Sequence, residues 1–316
     1  ATSMLRATLI EGPLNEVVRP LPLYHVAYYT ARAGKDDTAT EWLHRAQTTC
    51  DDYVFPSQVD ALPILEYAIE RQPADARAHL YLGNLLAGLG RLDDAVRHWK
   101  QAVQQNQTLS VAFRNLGIDA WKRQGVLSDA ADWFRQGVVA RPSDQVMHRD
   151  LANVLIALGH RREAISLLKS MSPAPSLRND VTTVLARAYL DEHQCDESLD
   201  LLETATYSNW EGDIDNWLVF VGAHVERGRE RLKHGDALLA LDDFEAALTY
   251  PEHLHVGRPS RPREAKALYW KGRALTALNR TSEARVAWQA GAAGAPMNEE
   301  QRDYISKCEE QLETES

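Results

Sequence analysis

Residues 75–108, DARAHLYLGNLLAGLGRLDDAVRHWKQAVQQNQT, are typical of two amphipathic helices joined by a tight turn at Gly90. Apolar residues recur at helical spacing on both sides of this turn. Gly83 in the first helix and Ala95 in the second are small, as required where two helices approach closely. Trp99, four residues after Ala95, supplies the bulk that fills the space between the helices. The stretch therefore predicts a helical hairpin.

The same order of small and large residues returns along the chain. The small residue of the first helix recurs at steps of 34, 35 and 34 residues. The extra residue belongs to the repeat that follows residues 75–108. It is assigned to the turn at Gln124 and Gly125, where an insertion costs little. The small first-helix residues, the small second-helix residues and the bulky residues form three columns: Gly83, Gly117, Ala152 and Ala186; Ala95, Ala130, Ala164 and Ser198; and Trp99, Phe134, Leu168 and Leu202.

A repeated hairpin of this length resembles the tetratricopeptide repeat, which has a period of 34 residues. The resemblance implies an all-α fold, a right-handed superhelical solenoid of tetratricopeptide-type helical hairpins with irregular insertions. Composition agrees, because strand-like alternating runs of Val, Ile and Thr are nearly absent.

The repeats also divide the chain. We expect residues 1–19 to form a lead-in or linker, 20–296 the repeat solenoid and 297–316 a capping helix and tail. Residues 48–57 break the period, and the insertion 206–217 is too long for an ordinary turn between helices. A further insertion, 250–262, holds three prolines and is expected to be a loop. The expected units are 20–47, a half unit at 58–73, 75–108, 109–142, 143–172, 176–205, 215–250 and 263–296.

Charge and cysteine content narrow the functional classes. The net charge is −10 with both signs mixed along the chain, whereas nucleic-acid binding needs clustered Lys and Arg. No apolar run reaches the roughly 18 residues of a membrane span, and residues 1–19 lack the pattern of a signal peptide. The three cysteines lie far apart without CxxC spacing. The sequence therefore predicts a cytoplasmic protein without nucleic-acid or membrane partners.

In such a solenoid the first helix of each hairpin lines a concave groove, and here that lining is polar and aromatic. Asn and Arg can bond a peptide backbone, a carboxylate or sugar hydroxyls, and aromatic rings offer flat apolar area. The open alternative is that the aromatic residues pack between neighbouring units and that the polar ones are only solvated. The candidate groove residues are Tyr81, Asn84, Arg114, Asn115, Trp121, Arg149, Asn153, Arg187, Tyr269, Trp270 and Arg273.

Catalytic and metal motifs are missing from the sequence. Eleven histidines are present, but there is no HExxH, GxSxG or phosphate-binding glycine loop, so we predict no metal, no cofactor and no catalytic set. Glu211, beside Trp210 in NWEGD, is the one carboxylate placed as in sugar-cleaving sites. The same motif is equally typical of an ordinary acidic turn.

The insertions indicate a narrower resemblance. The chain resembles the C-terminal helical half of large bacterial proteins that also carry an N-terminal, mutarotase-like β-rich domain. His253 and His255 depart from that group's usual YPENLGVG motif. The motifs that carry the resemblance are VFPSQVDALPIL (54–65), AHLYLGNLL (78–86), VAFRNLGIDAW (111–121), NWEGD (209–213) and YPEHLHVGRP (250–259).

This resemblance implies a carbohydrate-related role and a β-rich domain of the same polypeptide as a partner. It also implies contacts from the insertion loops, through Phe55, Trp210, Glu211, His253 and His255.

Two functions remain open on the sequence alone. The preferred one is a non-enzymatic protein-interaction scaffold that binds a partner domain or peptide through its groove and insertion loops. The alternative is the helical portion of a carbohydrate-binding or carbohydrate-active enzyme whose site is completed by a β-rich domain. The expected partner is accordingly a protein or peptide, a β-rich domain of the same polypeptide, or a sugar.

Overall fold

The computed structural model describes residues 19–49, 54–171, 177–205, 207–208 and 213–314. Every regular element in these ranges is helical, which confirms the predicted all-α class. None of the helices in these ranges is both long and apolar enough to cross a lipid bilayer. The chain divides between Met147 and His148 into two compact units, unit 1 and unit 2.

Unit 1 contains α1 (Pro20–Arg32), α2 (Asp36–Thr48), α3 (Ala61–Arg71), α4 (Ala76–Gly88), α5 (Leu92–Gln105), α6 (Ser110–Ile118) and α7 (Leu127–Ala140). Helices α1 and α2, α4 and α5, and α6 and α7 pair as hairpins, and α3 packs against α1 and α4. Helix α8 (Gln145–Ala157) spans the division between the units.

Unit 2 continues with α9 (Arg161–Lys169), α10 (Asn179–Asp191), α11 (Cys195–Thr204), α12 (Asp215–Lys233), α13 (Ala237–Ala246), α14 (Ala265–Ala277), α15 (Thr281–Ala292) and α16 (Glu299–Thr314). Helices α10 and α11, α12 and α13, and α14 and α15 form hairpins that stack in order, and α16 packs on the last pair.

Close approach at small residues holds each hairpin together. A Cβ atom added at Gly83 would lie 2.6 Å from the Trp99 indole, and one at Gly117 would lie 2.6 Å from the Phe134 ring. The α12–α13 hairpin follows the same rule, because a Cβ atom at Gly228 would lie 2.7 Å from Phe244. At these glycines the small residue therefore has a steric cause, which is the aromatic side chain of the paired helix.

The extra residue of the repeat at 109–142 lies in a helix and not in the turn. Helix α6 continues as a π-helical segment, Asp119–Gln124, before Gly125 adopts a left-handed conformation. The Val126 N–H accordingly bonds the carbonyl of Ala120, six residues back, whereas the Arg91 N–H of the preceding hairpin bonds the carbonyl of Leu86, five residues back. The assignment of the insertion to the turn was wrong, because one wider helical turn absorbs it.

The insertion at 250–262 is fixed by side chains of unit 2. The Tyr250 ring stacks on Trp217 with ring centroids 4.7 Å apart, and the Trp217 indole N–H donates to the carbonyl of Thr249 at 2.9 Å. Glu264, which is buried, accepts hydrogen bonds from the Tyr250 hydroxyl and the Arg258 guanidinium. The segment is therefore a packed part of unit 2.

A buried carboxylate ties α12 to α13. Asp243, 2 % exposed, accepts hydrogen bonds from His224, Arg227 and Arg231. Burial by itself would raise the pKa of Asp243, but the hydrogen bonds from His224 and Arg227 and the charges of Arg227 and Arg231 outweigh it and lower the pKa below its ordinary value. Ionised Asp243 therefore stabilises the hairpin, and that stabilisation is lost as the pH falls below about 4, through the lowered pKa.

Substituting Asp243 with Asn should remove this acid-sensitive part of the stability. At pH 7 we expect a loss of about 3 kcal/mol or more in the free energy of unfolding, since three cationic or polar donors lose their buried anion. Between pH 4 and pH 2.5 the variant should lose less further stability than the wild type, as measured by urea denaturation. Asp132→Asn, at an exposed pair with Arg135, is the control and should change stability by less than about 0.5 kcal/mol. Parallel acid profiles for Asp243→Asn and the wild type would contradict the assignment.

Two glycines of α4 provide a matched test of the small-residue column. Gly83→Ala should reduce stability by about 1–3 kcal/mol, because the added methyl group overlaps the Trp99 indole. Gly88→Ala meets no atom within 4 Å and should be neutral or stabilising by up to about 1 kcal/mol, since Ala is the better helix former. Thermal and chemical denaturation would measure both, and equal effects at the two positions would refute the steric explanation.

Candidate functional site

A cavity of about 280 Å³ in unit 1 brings together two of the predicted groove residues and Phe55. Phe55, which is 67 % exposed, stands at its edge beside the buried Val54. Tyr81 and Asn84 of α4 line its wall, as do residues at the start of α6 and the end of α7. Three of the predicted contact residues, Phe55, Tyr81 and Asn84, therefore lie around one cavity.

Neighbouring first helices in unit 1 are joined by an asparagine pair. The Asn84 carbonyl oxygen accepts a hydrogen bond of 2.9 Å from the Trp99 indole and one of 2.7 Å from the Asn115 amide. No described residue bonds the amide nitrogen of Asn84 or the carbonyl oxygen of Asn115. The pair thus has one donor group and one acceptor left for another molecule.

A larger cavity, about 600 Å³, lies in unit 2 and is called here the unit 2 cleft. It is lined by side chains of α8 and α10, by the start of α12 and by the residues just before α12. Arg149, Asn153 and Arg187, which the repeat register places on successive first helices, all line it. Arg149 and Asn153 lie on successive turns of α8, and Arg187 lies on α10. Stacking of the helices therefore forms the cleft.

Most of the charge on one side of the unit 2 cleft is neutralised internally. Arg149 donates to both Asp150 and Asp180, and Arg178 donates to Asp180 through Nε and Nη2, each at 3.1 Å. Burial would raise the pKa of Asp180, but the hydrogen bonds from Arg178 and the charge and hydrogen bond of Arg149 lower it. Asp180 therefore stays ionised at neutral pH.

A second ion pair in the unit 2 cleft is open. The nearest side-chain N···O distance between Arg187 of α10 and Asp215 of α12 is 3.7 Å, longer than a hydrogen bond. Both side chains are well exposed, Arg187 at 45 % and Asp215 at 67 %. Asp213 lies nearby and accepts the Asp215 backbone N–H at 3.2 Å. These groups are accessible to a ligand.

Comparison with known proteins agrees with the repeat pattern. A family model described as tetratricopeptide repeat matches residues 60–109, 83–145 and 225–300, which together are slightly more than half of the chain. The chain belongs to the tetratricopeptide repeat family.

Several solved structures resemble this chain in fold. The C-terminal part of a tetratricopeptide repeat-containing protein from Cytophaga hutchinsonii matches with a TM-score of 0.54 at 16 % identity, over 78 % of this chain and 93 % of that one. A chain of the Naa15/Naa10 complex bound to HypK-THB matches with a TM-score of 0.50 at 16 % identity, over 92 % of this chain but only 39 % of its own length. YrrB, described as a tetratricopeptide repeat protein with an unusual peptide-binding site, matches at 19 % identity with a TM-score of 0.46, over 58 % of this chain and 90 % of that one. At these identities the first two show the fold alone.

Two predicted groove aromatics are buried in these repeats. Tyr81 is 2 % exposed and Tyr269 is 9 % exposed, so neither offers the flat exposed face expected from the sequence. Trp270 is half-buried, and the Arg229 guanidinium covers its ring at 4.8 Å from the centroid. Arg273 is exposed and donates to the Tyr269 hydroxyl at 3.1 Å. Tyr81 and Tyr269 therefore fit the alternative in which these rings pack between neighbouring repeats, and not exposure in a groove.

The remaining predicted residues are dispersed. Arg114 and Trp121 are half-buried, and the Lys122 ammonium lies 3.4 Å from the centroid of the Trp121 ring. His253 is half-buried and its carbonyl accepts the Tyr207 backbone N–H, while His255 is exposed in a left-handed conformation. Trp210 and Glu211 lie outside the described residues. Within the described part of the chain, no group of three or more His, Cys, Asp or Glu side chains could hold a metal ion.

Repeat register alone did not identify every residue of the unit 2 cleft. Arg178 precedes α10 and Asp213 precedes α12, so both lie before the helical positions that the register numbers. The sequence signal for them was charge: RND opens α10, and DID leads into α12.

The asparagine pair predicts unequal costs for two similar substitutions. Asn84→Ala leaves the Trp99 indole and the Asn115 amide without their acceptor and should reduce the free energy of unfolding by about 1–3 kcal/mol. Asn115→Ala leaves the indole bond intact and should cost less than about 1 kcal/mol. Urea denaturation would compare them, and equal costs would show that the indole bond to Asn84 does not stabilise the hairpin.

Proposed function

We propose that this chain is a non-enzymatic interaction scaffold whose first helices bind a peptide or a loop of a partner protein. The observation that carries the proposal is the asparagine pair beside the unit 1 cavity. Its free donor and acceptor sit on neighbouring helices, with Phe55 exposed at the edge. Stacked repeats of this family provide extended surfaces suited to such binding.

The chemistry of the asparagine pair suits an extended backbone. The Asn84 amide can donate to a peptide carbonyl, and the Asn115 carbonyl can accept a peptide N–H. Contacts of this kind hold the main chain of a peptide whatever its side chains, so specificity must come from neighbouring pockets. The cavity next to Tyr81 and Phe55 is positioned to take a side chain of the bound peptide.

The sequence resemblance adds one particular partner to the proposal, a β-rich domain of the same polypeptide docking on the insertion loops. Phe55 and His255, both exposed, are the described residues that would meet it. The carbohydrate alternative depends on Glu211, and no described residue favours it.

Selection of peptides on the full chain tests the proposal. A random 15-residue peptide library would be displayed and selected, and the enriched peptides measured by fluorescence anisotropy. Phe55→Ala and Asn115→Ala should each weaken binding about 5- to 50-fold, since each removes an anchor of the bound segment.

Val139→Ala, at an exposed apolar residue of α7 outside the cavity, is the matched control and should leave binding unchanged. If no peptide is enriched, or if enriched peptides bind all three variants equally, the proposal is wrong.

A further inference from the structure

The two sides of the unit 2 cleft differ in charge. On the side formed by α8, by α10 and by the residue before α10, the guanidinium groups of Arg149, Arg178 and Arg187 line the cleft together with one carboxylate, that of Asp180. Arg149 also donates to the buried carboxylate of Asp150. On the side formed by the residues leading into α12, two carboxylates, Asp213 and Asp215, stand together. Within the described part of the chain, Arg187 is the only Lys or Arg within 4 Å of either one. One side is therefore net positive and the other net negative.

The charges that remain for a ligand can be identified from the hydrogen bonds. Asp180 already accepts from Arg149, from Arg178 and from the backbone N–H of Val181, so it has little capacity left. The Arg187 guanidinium, in contrast, makes no hydrogen bond to any described residue and reaches Asp215 only at 3.7 Å. Arg187 is thus the available cation, and Asp215 is the available anion opposite to it.

An open, exposed ion pair of this kind contributes little to stability. A ligand can therefore separate the two side chains at small cost. If it brings an acid to Arg187 and a base to Asp215, both charges are paired again. A ligand of one sign cannot do this, since an all-acidic segment would meet Asp213 and Asp215 and an all-basic one would meet Arg178 and Arg187.

We infer that the unit 2 cleft recognises a peptide segment of mixed charge, in which an acidic side chain lies close to a basic one. The acidic side chain pairs with Arg187 and the basic side chain with Asp215 and Asp213. A volume of about 600 Å³ is within the range of ligand pockets and accommodates a few residues of such a segment. The inference rests on the proposed scaffold function but uses a different cavity from the one that carries that proposal.

Binding of four fluorescently labelled peptides to the full chain tests the inference. They are 12-residue peptides of identical Gly, Ser and Ala spacing that carry two Glu and two Lys, four Glu, four Lys or four Gln. Fluorescence anisotropy at 50 mM salt should give at least about tenfold tighter binding for the mixed peptide than for any other, with the advantage falling at 200 mM salt.

Substitutions at Arg187 and Asp215 then test the contact to the acidic side chain and the contact to the basic side chain separately. Arg187→Gln should weaken the mixed peptide about 5- to 10-fold and improve the all-Lys peptide relative to it. Asp215→Asn should likewise weaken the mixed peptide and improve the all-Glu peptide. The exchange Arg187→Asp with Asp215→Arg should restore the preference for the mixed peptide. Arg280→Gln, at an exposed pair with Glu283 on α15, is the control and should change nothing.

A mixed peptide that binds no better than the Gln peptide would overturn the inference, as would a preference for a single sign or the absence of measurable binding. If Phe55→Ala and Asn115→Ala still weaken the selected peptides while the charge variants have no effect, the inference about the unit 2 cleft fails and the scaffold proposal stands.

Discussion

The close approach of two helices at a small residue is the constraint on which both units depend. At Gly83, Gly117 and Gly228 there is no space for a Cβ atom, because an aromatic ring of the paired helix occupies it. Stacking of successive hairpins places polar residues of neighbouring first helices side by side. The asparagine pair and the open ion pair are two results of this arrangement.

The hairpins could be predicted from the sequence because their cause is local and steric. A small residue and a large residue at fixed spacing leave few ways for two helices to pack. The location of the inserted residue before Gly125 could not be predicted in the same way, because a turn and a helix can each absorb one residue. The choice depends on the packing of the Asp119–Gln124 segment, which is not encoded in the spacing.

The candidate site was predictable in part, for a related reason. Repeat register states which face a residue occupies, and it brought Arg149, Asn153 and Arg187 to one cleft. It does not state how much of that face the next hairpin covers, so it left open whether Tyr81 and Tyr269 are exposed or buried.

The insertions acquire a physical role once their contacts are known. Asn216, adjacent to Asp215, donates to the carbonyl of Leu254 at 2.9 Å, and Trp217 packs on Tyr250 and bonds the carbonyl of Thr249. The 250–262 insertion therefore fixes the first turn of α12, which is where the negative side of the unit 2 cleft begins. Because this turn is held from outside the hairpin, Asp215 keeps its place without a strong ion pair to Arg187. The same packing thus holds the start of α12 in place through Asn216 and Trp217 and leaves Arg187 and Asp215 only weakly paired. Both charged side chains therefore remain available to a ligand.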